Sequence, residues 1–195
     1  MNDQLWWFVT RASGFVTWGA AAAAIIWGLA VTSKPLGRKP APAWTLDLHR
    51  FLGAVTIVAL GVHLAALVAD SFTHWGAAEL AVPYAATWKP GPVAWGIVAA
   101  YLLVAVEVSS LLMRRLPRVW WRRLHLTSYL VFLTATVHFV SAGSDVDNPL
   151  VLARIRNSVR KAMKVVMLQI IASTRGLSTS LPALTKWTVA VRNTR

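Results

Sequence analysis

The chain holds five histidines in 195 residues, and four of them form two similarly spaced pairs within apolar stretches. "HRFLGAVTIVALGVH" carries His49 and His63, and between Arg50 and His63 it has no other charged or ionisable side chain. "HLTSYLVFLTATVH" carries His125 and His138. Ionisable groups are costly in hydrocarbon and usually functional where they occur. Imidazole serves there as a proton carrier or a metal ligand. At about 1.5 Å per helical residue, His49 and His63 lie roughly 21 Å apart along their axis, and His125 and His138 roughly 20 Å. At about 100° per residue, fourteen steps return to within about 40°, so His49 and His63 share a helix face. Thirteen steps leave His125 and His138 on well-separated faces. A tilt, a π-bulge or different approach angles must bring them to one interior.

The elements that position these groups read as membrane helices. The chain is 56% hydrophobic with a mean hydropathy of +0.54, and several runs approach the roughly 20 apolar residues a bilayer span needs. We expect an all-α membrane protein, a bundle of four transmembrane helices over about Ser13–Thr32, Leu48–Ala69, Val93–Met113 and His125–Ala142. The alanine-rich "GAAAAAIIWGLA" of the first permits close helix packing. Residues 1–147 form this bundle, and residues 148–195 a basic C-terminal tail. In "VLARIRNSVRKAMKVVMLQIIAS", Leu152, Ile155, Val159, Met163, Val166 and Ile170 recur at helical spacing among arginines and lysines. The tail therefore has two readings, an amphipathic helix on the membrane surface and a tilted fifth crossing.

Orientation follows from charge. Lys34, Arg38, Lys39 and Arg50 fall on one side with Arg114, Arg115, Arg118, Arg122 and Arg123, whereas the loop over residues 70–92 sets Lys89 against Asp70 and Glu79. The positive-inside rule puts loops 33–47 and 114–124 in the cytoplasm and loop 70–92 outside, in a multi-pass protein of the plasma membrane. Trp6, Trp7, Trp75, Trp88, Trp120 and Trp121 lie near helix ends, as an aromatic belt requires. The net charge of +13 suits anionic lipid, the tail's expected partner, better than nucleic acid, for which no binding motif is present. The absence of cysteine excludes disulfides, thiolate-held clusters and cysteine-linked heme. The first apolar run lacks a clear small-residue cleavage site and reads as a retained helix.

In this topology both histidine-bearing helices run from the cytoplasm outward. His49 then shares a depth with His125, and His63 with His138. Heme iron accepts imidazole nitrogens on opposite sides of the porphyrin, so the four side chains suit two stacked b-type hemes. Gly53, Ala54 and Gly61 leave room for a macrocycle, and Arg50, Arg122 and Arg123 sit at the rim where propionates need cations. Zinc or copper would be short of ligands with two imidazoles per level. His74 reads as a surface residue, Glu107 as a structurally paired acid and Arg11 as interfacial. Tyr84, Trp88 and Lys89 mark an aromatic outer loop.

"LDLHRFLGAVTIVALGVHLAAL", "WWRRLHLTSYLVFLTATVHFVSAGSD" and the outer "ELAVPYAATWKP" together resemble the ferric reductase-like transmembrane domain. That superfamily includes NADPH oxidases, ferric reductases and the heme subunit of the bacterial periplasmic methionine-sulfoxide reductase system. The resemblance spans about Arg11 to Asp147. It implies two hemes held by His49, His63, His125 and His138 that pass electrons across the membrane. Oxidases and full-length ferric reductases of this kind add a sixth helix and a flavin- and nicotinamide-binding domain, and no Gly-rich dinucleotide fingerprint follows a strand here. The expected function is thus a di-heme membrane cytochrome. It is the electron-transfer component of an oxidoreductase with no flavin or NAD(P)H site in this chain. A separate flavoprotein, reductase or quinol is its donor, and its acceptor lies at the outer face. The alternative is a heme-free accessory or scaffold subunit of a larger membrane complex.

Overall fold

The computed structural model describes residues 3–33, 43–70 and 75–143, with Asn157 and Arg160 besides. His74, the 33–47 loop's basic residues Lys34, Arg38 and Lys39, and the tail's expected helix lie outside the described residues. The chain divides into two units, Met1–Asp147 and Asn148–Arg195, and the first contains all that follows. Its elements are α1 (Asp3–Ser33), α2 (Ala43–Ala69), the short α3 (Ala77–Ala81), α4 (Pro90–Leu111), α5 (Arg118–Leu126) and α6 (Ser128–Ala142). Four helical stretches are long and apolar enough to cross a membrane, the last being α5 and α6 taken together. Large apolar side chains such as Ile26, Phe51, Val58 and Leu111 face outward, where acyl chains rather than water would meet them.

Two helices start earlier than hydropathy suggests. α1 begins at Asp3, not near Ser13, and α2 at Ala43, not Leu48. Hydropathy marks the length in hydrocarbon, whereas a helix continues into the head groups wherever its polar groups are satisfied. In α1 the Ser13 hydroxyl donates to Val9 O (2.6 Å) and the Thr17 hydroxyl to Ser13 O (2.7 Å). Such back-bonding hides a hydroxyl within its own helix. α4 starts at Pro90, whose fixed φ and missing N–H suit a first turn. It ends at Leu111, two residues before the expected Met113.

The fourth span departs further from its expected bounds. α5 starts at Arg118, so Arg118, Arg122 and Arg123 are helical, and only Leu112–Pro117 connects it to α4. The helix is then interrupted at Thr127 (φ −66°, ψ −10°). Thr127 N bonds Leu124 O (3.0 Å) and Leu130 N bonds Thr127 O (2.9 Å), both in the tighter i to i+3 pattern. The Thr127 hydroxyl also donates to Leu124 O (2.6 Å). Each tightened step turns the chain by about 120° instead of about 100°. The junction's two tightened steps thus advance His138 by about 40° toward the face of His125, part of the roughly 140° mismatch left by thirteen ideal steps.

Packing divides the bundle into two pairs. α1 lies along α2 and α4 along α6, with a smaller seam between α1 and α6 and little contact between α2 and α4. The α1–α6 seam is aromatic. Trp18 stacks on Phe139 (5.2 Å) and Phe132 (5.9 Å), and its indole N–H donates to Thr136 Oγ1 (3.0 Å). Leu103, Val106 and Val131 form one apolar cluster with Ile57 and Leu60. Trp75, Ala86, Val93 and Ile97 form another, anchoring the segment before α4 to that helix. Of the histidine-bearing elements α2, α5 and α6, α2 shares no seam of comparable extent with either of the others.

Candidate functional site

The four paired histidines all sit partly buried inside the bundle, at two levels. At the first, the ring centres of His49 on α2 and His125 on α5 are 6.0 Å apart with planes inclined by 71°. At the second, His63 on α2 and His138 on α6 are within electrostatic reach of each other. The expected pairing by depth, His49 with His125 and His63 with His138, is the one observed.

Each imidazole is oriented by the neighbouring helix of its own pair. His49 Nδ1 donates to Ala24 O (3.0 Å), His63 Nδ1 to Thr10 O (2.8 Å) and His138 Nδ1 to Pro92 O (2.8 Å). A carbonyl can only accept, so these contacts place the proton on Nδ1 and leave the Nε2 lone pair available. His125 differs: its Nδ1 lies 3.4 Å from the Ser110 hydroxyl, which itself donates to Val106 O. Trp121, one turn before His125, stacks on its ring at 5.2 Å.

A glycine makes three of these contacts possible. A Cβ at Gly28 would lie 3.1 Å from His49 Cε1, one at Gly14 3.2 Å from His63 Cε1, and one at Gly96 2.7 Å from His138 Nδ1. In every case the glycine follows the accepting carbonyl by four residues: Thr10 and Gly14, Ala24 and Gly28, Pro92 and Gly96. Residues i and i+4 stack on one helix face. Removing the side chain at i+4 therefore opens the carbonyl at i to a group from the next helix. Gly14 and Gly28 are fourteen residues apart, like His49 and His63, and α1 runs antiparallel to α2. Sequence reasoning missed these seats, although the matching interval was there to be read.

Other expectations resolve differently. Gly53 does not open space for a macrocycle: a Cβ there would lie 2.8 Å from Glu107 Oε1, so the glycine accommodates that carboxyl, which is within electrostatic reach of His49. Gly61 does face open space, with nothing within 4 Å. Arg50 is exposed and pairs with Asp47 (3.5 Å). Arg122 and Arg123 are exposed, Arg123 lying over the Trp120 ring at 5.7 Å. Arg11 lies over Trp7 (4.8 Å), well inside α1 rather than at its start. In the loop over residues 70–92, Tyr84 (φ 69°) and Lys89 (φ 42°) adopt left-handed backbone conformations, and the Tyr101 hydroxyl donates to Ala81 O.

The arrangement fits a metal held between two imidazoles. With metal–nitrogen bonds of about 2.0–2.1 Å, and each ring centre about 1.1 Å behind its nitrogen, two imidazoles on one ion would have centres about 5–6 Å apart, depending on the angle at the ion. His49 and His125 are at 6.0 Å. Among the described residues no three His, Asp or Glu side chains converge on one point, so remaining ligands would have to come with the metal, as they do in a porphyrin. Two buried polar atoms beside the histidines, Thr10 Oγ1 and Trp121 Nε1, have no hydrogen-bond partner, which leaves one donor open at each level.

The profile described as "Ferric reductase like transmembrane component" matches residues 35–136, more than half of the 195-residue chain. The chain belongs to the ferric reductase-like transmembrane family. The match contains His49, His63 and His125 and stops two residues before His138; α1, with the Gly14 and Gly28 seats, precedes it. Comparison with curated proteins and with solved structures returns no match. Membership in this family suggests a membrane electron-transfer module. Its members usually bind heme, in keeping with the imidazole geometry.

Proposed function

We propose that this family member is a di-heme b-type membrane cytochrome, the membrane module of a reductase system, which carries electrons from one face of the plasma membrane to the other. One observation carries the reading: His49 and His125 face each other at 6.0 Å with both Nδ1 atoms turned to protein acceptors. Heme b, when bound, supplies a one-electron iron couple at each level.

The chain's own residues do the positioning. His49 and His125 present Nε2 at one level, and His63 and His138 at the other. The carbonyls of Ala24, Thr10 and Pro92 hold the Nδ1 protons, which fixes the tautomer of those imidazoles and raises the basicity of Nε2. The levels follow one another along α2 and along the α5–α6 stretch, separated by about 20 Å. The basic content of loops 33–47 and 114–124 assigns that face to the cytoplasm, where a flavoprotein, reductase or quinol delivers electrons. The acceptor arrives at the 70–92 side, and anionic lipid meets the basic tail.

A pyridine hemochrome assay on the purified protein tests this, with two hemes per chain expected. His49→Ala or His125→Ala should remove one spectral component, and His63→Ala or His138→Ala the other. A well-folded preparation without heme would refute the reading, and loss of a single component from the mixed pair His49 and His138 would refute the assignment to levels. In oriented vesicles, His63→Ala should abolish reduction of an impermeant outer acceptor while sparing reduction of the inner level. Full-rate transfer in that variant refutes the route.

A further inference from the structure

The di-heme reading gives work to four imidazoles but none to Trp121. Its indole Nε1 is buried with no hydrogen-bond partner, although its ring is fixed on His125 at 5.2 Å and 22°. Burying an N–H without an acceptor forfeits a hydrogen bond that water would have supplied. The neighbouring arginines make no such demand, because Arg50, Arg122 and Arg123 are exposed. The unmet donor at this rim is therefore the indole.

Its depth says what kind of acceptor it awaits. Trp121 precedes His125 by one turn, about 6 Å nearer the end at which α5 begins. That end carries Arg118, Arg122 and Arg123, all exposed, and so marks the polar face. A carboxylate on a group held between His49 and His125 must point toward this face, because its charge is costly in the bilayer interior. The indole, stacked on His125 and one turn nearer that end, sits on the same side with its N–H buried and unpartnered. We propose that Trp121 Nε1 is the donor that fixes a carboxylate of the group held between His49 and His125. The proposal rests on the di-heme reading. It makes Trp121 a positioning residue for heme propionate, a role sequence reasoning gave to the rim arginines.

The test compares heme b with its dimethyl ester, whose carboxyls carry no charge, in wild-type protein and in Trp121→Phe. Phenylalanine keeps an aromatic ring against His125 and removes the N–H donor with part of the indole's area, which the diester comparison separates. Charge-assisted hydrogen bonds are worth enough that heme transfer from this level to excess apomyoglobin should quicken by about tenfold or more in Trp121→Phe. The midpoint potential of this one component should shift while that of the other stays. With the diester, wild type and Trp121→Phe should release the macrocycle at the same rate. In the wild type alone, the diester should leave this level faster than heme b does, a comparison that needs no substitution. Equal acceleration by Trp121→Phe with both macrocycles would mean that the tryptophan acts only through packing, and overturns the proposal. No acceleration with heme b overturns it equally. A wild-type protein without heme overturns the di-heme reading and this proposal with it, whereas a heme-loaded one with an indifferent Trp121→Phe overturns this proposal alone.

Discussion

Gly96→Ala asks whether the glycine seats orient the ligands or only line the bundle. The added methyl would lie 2.7 Å from His138 Nδ1, 2.8 Å from Cε1 and 3.0 Å from Cγ, so it meets the flat of the ring rather than a flexible end. The ring must retreat by about 0.6 Å or more to reach ordinary contact. That stretches the 2.8 Å bond to Pro92 O beyond the range of a good hydrogen bond. Losing this bond costs about 0.5–1.5 kcal/mol and a displaced rotamer about as much again. Alanine in place of glycine within a helix returns about 0.8–1.0 kcal/mol. The net effect on folding is thus small, about 0–2 kcal/mol, but it falls entirely on one imidazole. The expected result is a folded protein in which the component held by His63 and His138 is lost or shifted in potential, read by hemochrome stoichiometry and redox titration. Gly28→Ala and Gly14→Ala, with closest approaches of 3.1 and 3.2 Å, should disturb their own levels less, and Gly19→Ala, with nothing within 4 Å, should disturb neither. Two hemes with unchanged potentials in Gly96→Ala would refute the seating argument, as would equal effects at Gly19 and Gly96.

Two further outcomes follow from single contacts. Ser110→Ala removes the oxygen that faces His125 Nδ1 at 3.4 Å. An imidazole with a weaker Nδ1 partner is a poorer donor to ferric iron, so the potential of the component held by His49 and His125 should rise while the other stays, seen as one displaced wave in a potentiometric titration. Trp18→Phe keeps the stack on Phe139 but loses the indole bond to Thr136. Thr136 still donates to Phe132 O, so no group on α6 is stranded. Unfolding in denaturing detergent should show a loss of about 0.5–1 kcal/mol, and a loss several times larger would mean that the α1–α6 seam depends on more than stacking.

The four spans and the two histidine levels were legible in the sequence because each depends on one dominant quantity. Spans depend on the length of apolar runs, and levels on counting residues at a fixed rise per helical residue. What escaped depends on contacts between elements. Gly53 looked like empty space from its own helix and holds Glu107 only because α4 packs there. Trp121 read as one more belt tryptophan, since nothing in its neighbours shows that its N–H is buried. The break at Thr127 leaves a faint trace, a threonine among ordinary helix formers, and its hydroxyl competes for Leu124 O only once the helix has formed. The start of α1 was misplaced because polar residues near Arg11 look like an end to hydropathy and not to a helix.

The glycine seats give the division of labour in the bundle a physical reason. α1 and α4 contribute carbonyls and glycines, whereas α2 and the α5–α6 pair contribute imidazoles. Each imidazole is oriented within its own tightly packed pair, α1 with α2 and α4 with α5 and α6. With Nδ1 of His49, His63 and His138 turned to a helix of their own pair, the pairs themselves meet along the smaller α1–α6 seam, and α2 and α6 share little contact. Such an arrangement can hold its ligands in place before anything is bound, because nothing that orients them depends on the occupant. A ring fixed by a carbonyl and a glycine surface loses its rotamer freedom on folding, so little of that cost remains to be met on binding. His125 is the exception. Its hydroxyl partner is long and no glycine seats it, so its orientation falls to the stack of Trp121. The level with the least secure imidazole is thus also the one with the open indole donor, and there a bound group would help to order the site that receives it.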